Sequence, residues 1–308
     1  MLDPCANAFQ DGYSQYLEQK VFFNAQQAFP RHKSLILRFL AISALISLGV
    51  VACHSSPPSK NTVSIPATRS LNGSSLSLAV ISDLHLSETD EAYDLASRIF
   101  SQILKEGPDL VLVLGDLISS PSGLNAPVEH RRAILDALEG LPKERTAIVL
   151  GNYESWDDRG GWLSDLETRG FNVLENEVRV FRTNESSVCV RGLGDMYTDH
   201  YEYTPLPRAC AQLPTITITH DPAAAFEEGV EGVVIAGHTH CGQVSLPLIG
   251  PLWAPTKAPR EAWCGLYQDE LRTLWVSSGV GTSILPIRFG APSQWDLIEV
   301  NFEATGGR

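Results

Sequence analysis

Short apolar runs recur along residues 76–300, and each is bounded by glycine or by a polar residue. Runs of this length are typical of buried β-strands, because a helix of the same hydrophobicity is usually longer. The five clearest runs are Leu76–Ser82, Leu110–Leu114, Ala147–Leu150, Ile216–Thr219 and Val233–Ala236.

Helical patterns lie between these runs, and residues after 240 return to strands and turns. Asp90 is the predicted N-cap of the first helix, and Gly107-Pro108 is its predicted stop. This order predicts an α/β fold with two facing mixed sheets and helices outside, a four-layer αββα sandwich. The predicted helices are Glu91–Leu104, Val128–Leu138, Trp162–Thr168 and Pro222–Glu227, and the later strands are Val244–Leu246, Thr273–Ser277 and Asp296–Val300.

A potential metal ligand follows each of the five apolar runs. In α/β sheets, ligands bind at the carboxyl ends of the strands, where loops converge. Glycines at these positions allow the tight turns that direct a side chain into such a site. The five motifs are Asp83-Leu84-His85, Gly115-Asp116, Gly151-Asn152, His220 and Gly237-His238-Thr239-His240.

Aspartate, asparagine and histidine are ligands that suit Mn, Fe and Zn. Two such metals, about 3.5–4 Å apart, form the site that phosphatases and nucleases use for in-line displacement. The ordered set therefore predicts a metal-dependent phosphoester hydrolase. Each motif alone is weak, since a single histidine is more often a surface or core residue. Outside the set, His130 and His200 are predicted to be solvated.

The ordered set resembles the signature of the calcineurin-like metallophosphoesterase superfamily, and the resemblance covers residues 76 to about 300. Two longer segments, Gly237–Pro247 and Ser278–Pro292, resemble the bacterial membrane-associated phosphodiesterases of the YkuE and YaeI kind. The resemblance implies the αββα sandwich of that superfamily and a phosphodiesterase activity.

The resemblance also implies a binuclear centre of two divalent ions, Mn, Fe or Zn. The ligands of the first metal would be Asp83, His85 and His240, those of the second Asn152, His220 and His238, and Asp116 would bridge both. A hydroxide held between the metals would attack phosphorus, since two cations lower the pKa of bound water. Asp116 and Asn152 would thus belong to the catalytic machinery.

The sequence departs from the family pattern Gly-Asn-His-Asp/Glu at one position, where Tyr153 replaces the histidine. In the family, that histidine stabilises the transition state or protonates the leaving group. Tyrosine keeps a donor but carries no positive charge, so Tyr153 would donate a hydrogen bond to phosphate at most. The alternative is that Tyr153 only packs beside Trp156.

The first 75 residues differ in character from the rest. Basic residues precede an apolar stretch from Phe39 to Ala52, as in a secretory signal, and Val50–Cys53 resembles a bacterial lipobox. Residues 1–52 are thus predicted to be an extension plus a signal or lipoprotein segment, 53–75 a flexible tether, and 76–302 the catalytic domain. An uncleaved membrane anchor and a buried helix are the alternatives. The expected location is the bacterial cell envelope, with the catalytic domain outside the cytoplasm and held at the membrane through the N-terminal segment or a lipidated Cys53.

Export permits disulfides, and four downstream cysteines allow three pairings. The sequential pairing Cys189–Cys210 and Cys241–Cys264 is the working prediction, and a zinc-ligand role for Cys241 is the alternative.

Charge bears on the substrate. Without residues 1–52, the chain keeps 19 Lys or Arg and 33 Asp or Glu. Such a surface repels nucleic acid, so no nucleic-acid partner is expected. Three aromatic residues follow the last predicted ligands, namely Trp253, Trp263 and Tyr267. They could form an aromatic, apolar border for a lipid-linked or sugar phosphoester, or they could be core residues.

Three functions remain open on sequence alone. The first is a phosphodiesterase acting on an envelope or lipid-linked substrate. The second is a pyrophosphatase or phosphomonoesterase acting on a nucleotide-linked lipid sugar. The third is a metal-binding lipoprotein without catalysis.

Overall fold

The computed structural model describes residues 57–70, 75–119, 126–183 and 186–304. The predictions for residues 1–52 and for Cys53 lie outside this part of the chain. Within it, no helix is long and apolar enough to cross a membrane.

The first sheet has six strands: β1 (Ser59–Ser70), β2 (Ser75–Ile81), β3 (Leu110–Val113), β4 (Thr146–Ile148), β5 (Asn172–Val173) and β14 (Gln294–Ala304). Their order is β1-β14-β2-β3-β4-β5. Strands β2 to β5 are parallel to one another, β14 is antiparallel to β2, and β1 is parallel to β14. The carboxyl ends of β2, β3 and β4 therefore share one edge of the sheet.

The second sheet also has six strands: β6 (Glu177–Arg182), β7 (Ser187–Gly192), β8 (Thr215–Ile218), β9 (Gly232–Ala236), β12 (Gly265–Gln268) and β13 (Arg272–Val276). Their order is β12-β13-β9-β8-β7-β6, and the four central strands are parallel. A separate hairpin pairs β10 (Ser245–Leu246) with β11 (Gly250–Pro251). Two mixed sheets confirm the predicted α/β fold class.

The two sheets bury a shared core of aliphatic side chains. Leu112 and Val80 of the first sheet belong to the same buried cluster as Ile216 and Val233 of the second. Strands covered on both faces are expected to be apolar throughout, which explains the continuous runs in the sequence.

Three α-helices cover the outer face of the first sheet: α1 (Asp90–Glu106), α2 (Val128–Leu138) and α3 (Asn152–Thr168). Helix α1 buries Ile99, Phe100 and Ile103, whose spacing places them on one face. Its N-cap is Thr89 rather than the predicted Asp90, because the Thr89 hydroxyl accepts the N–H of Ala92 at 3.2 Å. Gly107 ends the helix in the left-handed conformation, φ 65°.

The outer face of the second sheet has a different cover. The segment predicted as a helix from Pro222 to Glu227 is a 3₁₀ turn, Pro222–Phe226, whose alanines pack on Val234 and Leu274. A 3₁₀ turn rarely extends beyond a few residues, so this fourth layer consists of short turns and loops in the described part of the chain.

Two further predictions were wrong. Residues 59–70 are not a flexible tether, because β1 pairs along its length with β14. His130 is not solvated: it is 3% exposed, and its Nδ1 lies 2.6 Å from the Tyr93 hydroxyl.

Both predicted disulfides are present. Cys189–Cys210 ties β7 to the 3₁₀ turn Arg208–Cys210, which precedes β8, and Cys241–Cys264 closes a loop directly after His240. Cys241 is therefore not available as a zinc ligand.

Candidate metal centre

The seven predicted ligands come together where strands of both sheets end. Asp83, Asp116 and Asn152 follow β2, β3 and β4, while His220 and His238 follow β8 and β9. The sheets are joined here by hydrogen bonds, since the N–H of His238 donates to Asp83 Oδ2 at 3.0 Å. All seven side chains are buried.

Two glycines permit this close approach. A Cβ on Gly237 would overlap the Ser82 hydroxyl, and a Cβ on Gly151 would overlap Asp116 Oδ1. These positions thus require glycine for packing space, not for a positive φ.

The first group of candidate ligands is Asp83, His85 and His240. His85 Nε2 lies 3.0 Å from His240 Nε2, which in turn lies 3.4 Å from Asp83 Oδ1. Asp83 Oδ1 is buried and has no hydrogen-bond partner. A buried carboxylate oxygen without a donor is costly, and a cation between these atoms would satisfy it.

The second group is Asp116, His220 and His238. His220 Nε2 lies 3.1 Å from both His238 Nδ1 and Asn152 Oδ1. The other ring nitrogens are occupied: His220 Nδ1 donates to Leu114 O at 2.6 Å, and His238 Nε2 donates to Pro255 O at 2.8 Å. In the neutral form of each ring, those donations leave the lone pairs of His220 Nε2 and His238 Nδ1 directed at one point, as metal ligation requires.

Asp116 lies between the two groups. Its Oδ2 is 3.5 Å from His85 Nε2 and 3.4 Å from His220 Nε2. Its Oδ1 accepts the N–H of Tyr153 at 2.9 Å, which fixes the plane of the carboxylate.

The electrostatics differ between the groups. Burial lowers the pKa of His85 and, with His85 and Arg288 nearby, holds the pKa of His240 well below its usual value. Both imidazoles are thus neutral, the form that binds metals. Burial opposes the charged forms of His220 and Asp116 too, but their mutual attraction outweighs it: the pKa of His220 is well raised, and that of Asp116 falls to about 2.

Five of the seven positions adopt the left-handed backbone conformation, with φ between 43° and 68°. Non-glycine residues in this region cost about 1–2 kcal/mol each and cluster at functional sites. Here the turn after each strand redirects the side chain into the centre. The five are Asp83, His85, Asp116, His238 and His240.

Glu154 is a site residue to which the sequence analysis assigned no role. Its fully buried carboxylate accepts backbone N–H groups from Asp116 and Gly151, both at 2.9 Å, and from Leu117 at 2.8 Å. Burial and the nearby Asp116 raise its pKa to about 7, against the effect of these donors. The sequence signal was present, because Glu154 occupies the acidic position of the family pattern.

Arg288 was also missed. Its guanidinium donates to His240 Nδ1 at 3.0 Å and to Ser278 O at 2.8 Å. It lies within the segment Ser278–Pro292, but its contact with His240 is visible only in three dimensions.

Tyr153 contacts the centre without being one of the seven ligands. Its ring packs edge-on against His85, with centroids 4.5 Å apart, and its hydroxyl lies 2.8 Å from Ser283 Oγ. Three further ring contacts form a row of aromatic residues. The ring centroids are 5.3 Å apart for Tyr153 and Trp156, 6.1 Å for Trp156 and Tyr197, and 4.8 Å for Tyr197 and His238. Trp156 and Tyr197 are each 45% exposed, so this aromatic row borders the opening of the centre.

The predicted aromatic border after the last ligand is only partly exposed. Trp253 is exposed, whereas the Trp263 indole donates to Ala258 O at 2.9 Å and Tyr267 packs on Phe226.

Two buried Asp/His groups at the carboxyl ends of strands from two facing sheets define the class of metal-dependent phosphoester hydrolases. The chain belongs to the calcineurin-like phosphoesterase family, whose model matches residues 76–242.

Several named proteins are similar to this chain. The zebrafish (Danio rerio) "Transmembrane protein with metallophosphoesterase domain" is 28% identical over 83% of this chain and 60% of its own length. The Bacillus subtilis metallophosphoesterase YkuE is 30% identical over 68% of this chain and 73% of its own length. The Escherichia coli "Phosphodiesterase YaeI" is 26% identical over 74% of this chain and 83% of its own length. The chain therefore matches less than two thirds of the zebrafish relative's length, but 73% of YkuE and 83% of YaeI.

Proposed function

We propose that this protein is a binuclear metal-dependent phosphodiesterase acting on an envelope or lipid-linked substrate. The observation that carries the proposal is the position of Asp116. Its Oδ2 lies within 3.5 Å of an imidazole from each group, so one carboxylate oxygen would be in reach of both metal positions.

The donor set fits two divalent ions. Asp83, His85 and His240 would hold the first, Asn152, His220 and His238 the second, and Asp116 would bridge. Nitrogen and oxygen donors of this kind suit Mn, Fe or Zn. When bound, the two ions would supply positive charge to the phosphoryl oxygens and activate a water molecule as the nucleophile.

The chain's own residues position these groups. Glu154 holds the turns that carry Asp116 and Asn152, while the N–H of Tyr153 orients the Asp116 carboxylate. Because these hydrogen bonds are already formed, the ligands would not have to move into place during the reaction.

The aromatic row supports a diester over a small monoester. Trp156 and Tyr197 present half-exposed rings beside the second group, where an organic substituent on the phosphate would pack. The name of the E. coli relative, phosphodiesterase, points the same way.

The pyrophosphatase or phosphomonoesterase alternative rests on Tyr153. An acidic leaving group, such as a phosphate, needs no proton from the enzyme, so a tyrosine would suffice there. The Tyr153 hydroxyl already contacts Ser283, which is consistent with a site that lacks a strong acid.

Location outside the cytoplasm is part of the proposal. Two disulfides support it, because such bonds persist in oxidising compartments. Only the sequence pattern supports attachment to a membrane through the N-terminal segment or Cys53.

The test is hydrolysis of a chromogenic phosphodiester and the matching monoester by the full-length chain. Metal is stripped and replaced by Mn, Fe, Co or Zn, and Asp116→Asn is compared with Asp94→Asn, an exposed aspartate of α1. The expected result is metal-dependent turnover that prefers the diester and is lost only in Asp116→Asn.

Two other results of this experiment would favour the alternative functions. Preference for the monoester or a pyrophosphate would replace the diesterase by the second function. Tight binding of two metals without turnover of any ester would contradict catalysis altogether.

A further inference from the structure

Two neighbouring loops expose apolar side chains, which we call the apolar rim. Leu248 and Ile249 form the tip of the β10–β11 hairpin, and they are 108% and 59% exposed. The rim consists of Leu248, Ile249, Leu252, Trp253, Ile284 and Leu285, each at least 47% exposed. Contiguous exposed apolar residues mark interaction sites, whereas single ones are ordinary.

The rim is held in a defined conformation. Arg260 donates to the carbonyls of Ile249 and Pro251 at 3.1 and 2.9 Å, which braces the hairpin. Gln243 Nε2 donates to Leu285 O at 3.1 Å, so the second loop is tied to the base of the first. The apolar tips are therefore presented by a fixed scaffold.

The rim borders the metal centre. Ser283, directly before Ile284, contacts the Tyr153 hydroxyl, and Arg288 at the end of the same loop donates to His240. On the other side, Pro255 O, two residues after Trp253, accepts from His238 Nε2. Whatever covers the rim thus lies beside the opening of the centre.

The shape and charge of the rim favour a lipid surface as its occupant. A side chain as exposed as Leu248 protrudes and does not line a groove, so it suits insertion into a soft layer. Residues 241–256 carry no charge, and Lys257, Arg260 and Glu261 follow, so residues 241–261 have a net charge of +1 in a chain of net charge −13. Apolar tips with basic residues at their base are typical of segments that bind anionic membranes, and tryptophan prefers that interface.

We propose that the apolar rim inserts into the surface of an anionic lipid bilayer and sets the metal centre at the depth of the phosphate headgroups. The binding surface does not depend on catalysis. The consequence that the substrate lies in that membrane rests on the proposed function.

Amide hydrogen exchange of the full-length chain tests this, because peptide resolution separates the rim from any N-terminal membrane contact. Exchange is followed with and without liposomes of phosphatidylcholine and phosphatidylglycerol. The variants are Leu248→Ser/Ile249→Ser and a matched control, Leu104→Ser/Val128→Ser, whose exposed aliphatics lie on α1 and α2.

Liposomes are expected to slow exchange in 244–253 and 281–288 about tenfold, in wild type and control but not in the rim variant. Turnover of a soluble phosphodiester should be equal in all three, so loss of docking is distinguishable from loss of catalysis. If the wild type turns over no ester, the proposed function fails while the exchange result still decides the docking.

The proposal is overturned if the rim variant keeps full protection, or if liposomes leave these peptides unchanged. Slow exchange without lipid would assign the rim to another occupant. Dependence on protein concentration would then identify a second copy, and independence would identify another segment of this chain.

Discussion

The Glu154 carboxylate accepts the backbone N–H of Asp116 at 2.9 Å, although the two residues are 38 positions apart. The same oxygen accepts the N–H of Gly151, and the other accepts that of Leu117. One side chain thus joins the turn after β3 to the turn after β4.

We expect Glu154→Gln to destabilise the protein by about 2–3 kcal/mol, because the glutamine amide offers one acceptor oxygen and leaves buried donors unpaired. Urea unfolding measures this, and metal binding should weaken in parallel. Glu167→Gln, on the exposed face of α3, is the matched control. Equal unfolding midpoints for the two variants would show that Glu154 does not join the turns.

Tyr153→His restores the side chain that the family carries at this position. We expect it to raise kcat about tenfold or more for a diester with an alkoxide leaving group, since proton donation contributes 10²–10⁴ where it operates. A nitrophenolate leaving group needs no proton, so its turnover should change little. A uniform change on both esters would instead show that position 153 acts through packing on His85.

Removal of the two disulfides should lower stability to a similar extent but should affect metal affinity differently. They span 21 and 23 residues, so removal of either by a double Cys→Ser substitution should cost about 3 kcal/mol. Only the Cys241–Cys264 variant should also weaken metal affinity, because Cys241 adjoins His240. A metal competition titration compares the two, and equal affinities would contradict the role assigned to Cys241–Cys264.

His130 should titrate below its usual value, because burial between α1 and α2 lowers its pKa. The unfolded chain then takes up this proton first as the pH falls, so His130 destabilises the fold at and below about pH 6.5. NMR titration measures the shift, with His130→Gln identifying the resonance. A midpoint at or above 6.5 would contradict the burial.

The central strands and the ligand positions could be predicted because each coincides with a local pattern. A buried parallel strand such as β3 is a continuous apolar run, and the ligand follows where the run stops. The edge strand β1 gives no such signal. Its sequence is mostly polar and includes Pro66, and only Ile65 and Ala67 of its described side chains are buried. It forms by pairing with β14, more than 200 residues later.

Contacts between distant elements account for the other differences. The burial of His130 depends on Tyr93 of the neighbouring helix, and the contact of Arg288 depends on how the 281–288 loop folds back on His240. Thr89 and Asp90 are both good N-cap residues, so the sequence does not show which of them caps the helix. The local backbone geometry decides it.

The position where β1 begins limits how far the domain could move from an anchor at Cys53. The N–H of Ser59 is bonded to Ser293 O at 3.1 Å, so the chain is fixed to the sheet six positions after Cys53. Six residue steps span at most about 20 Å when fully extended. A lipid at Cys53 would therefore give the centre a high effective concentration at one membrane surface and restrict its search to two dimensions.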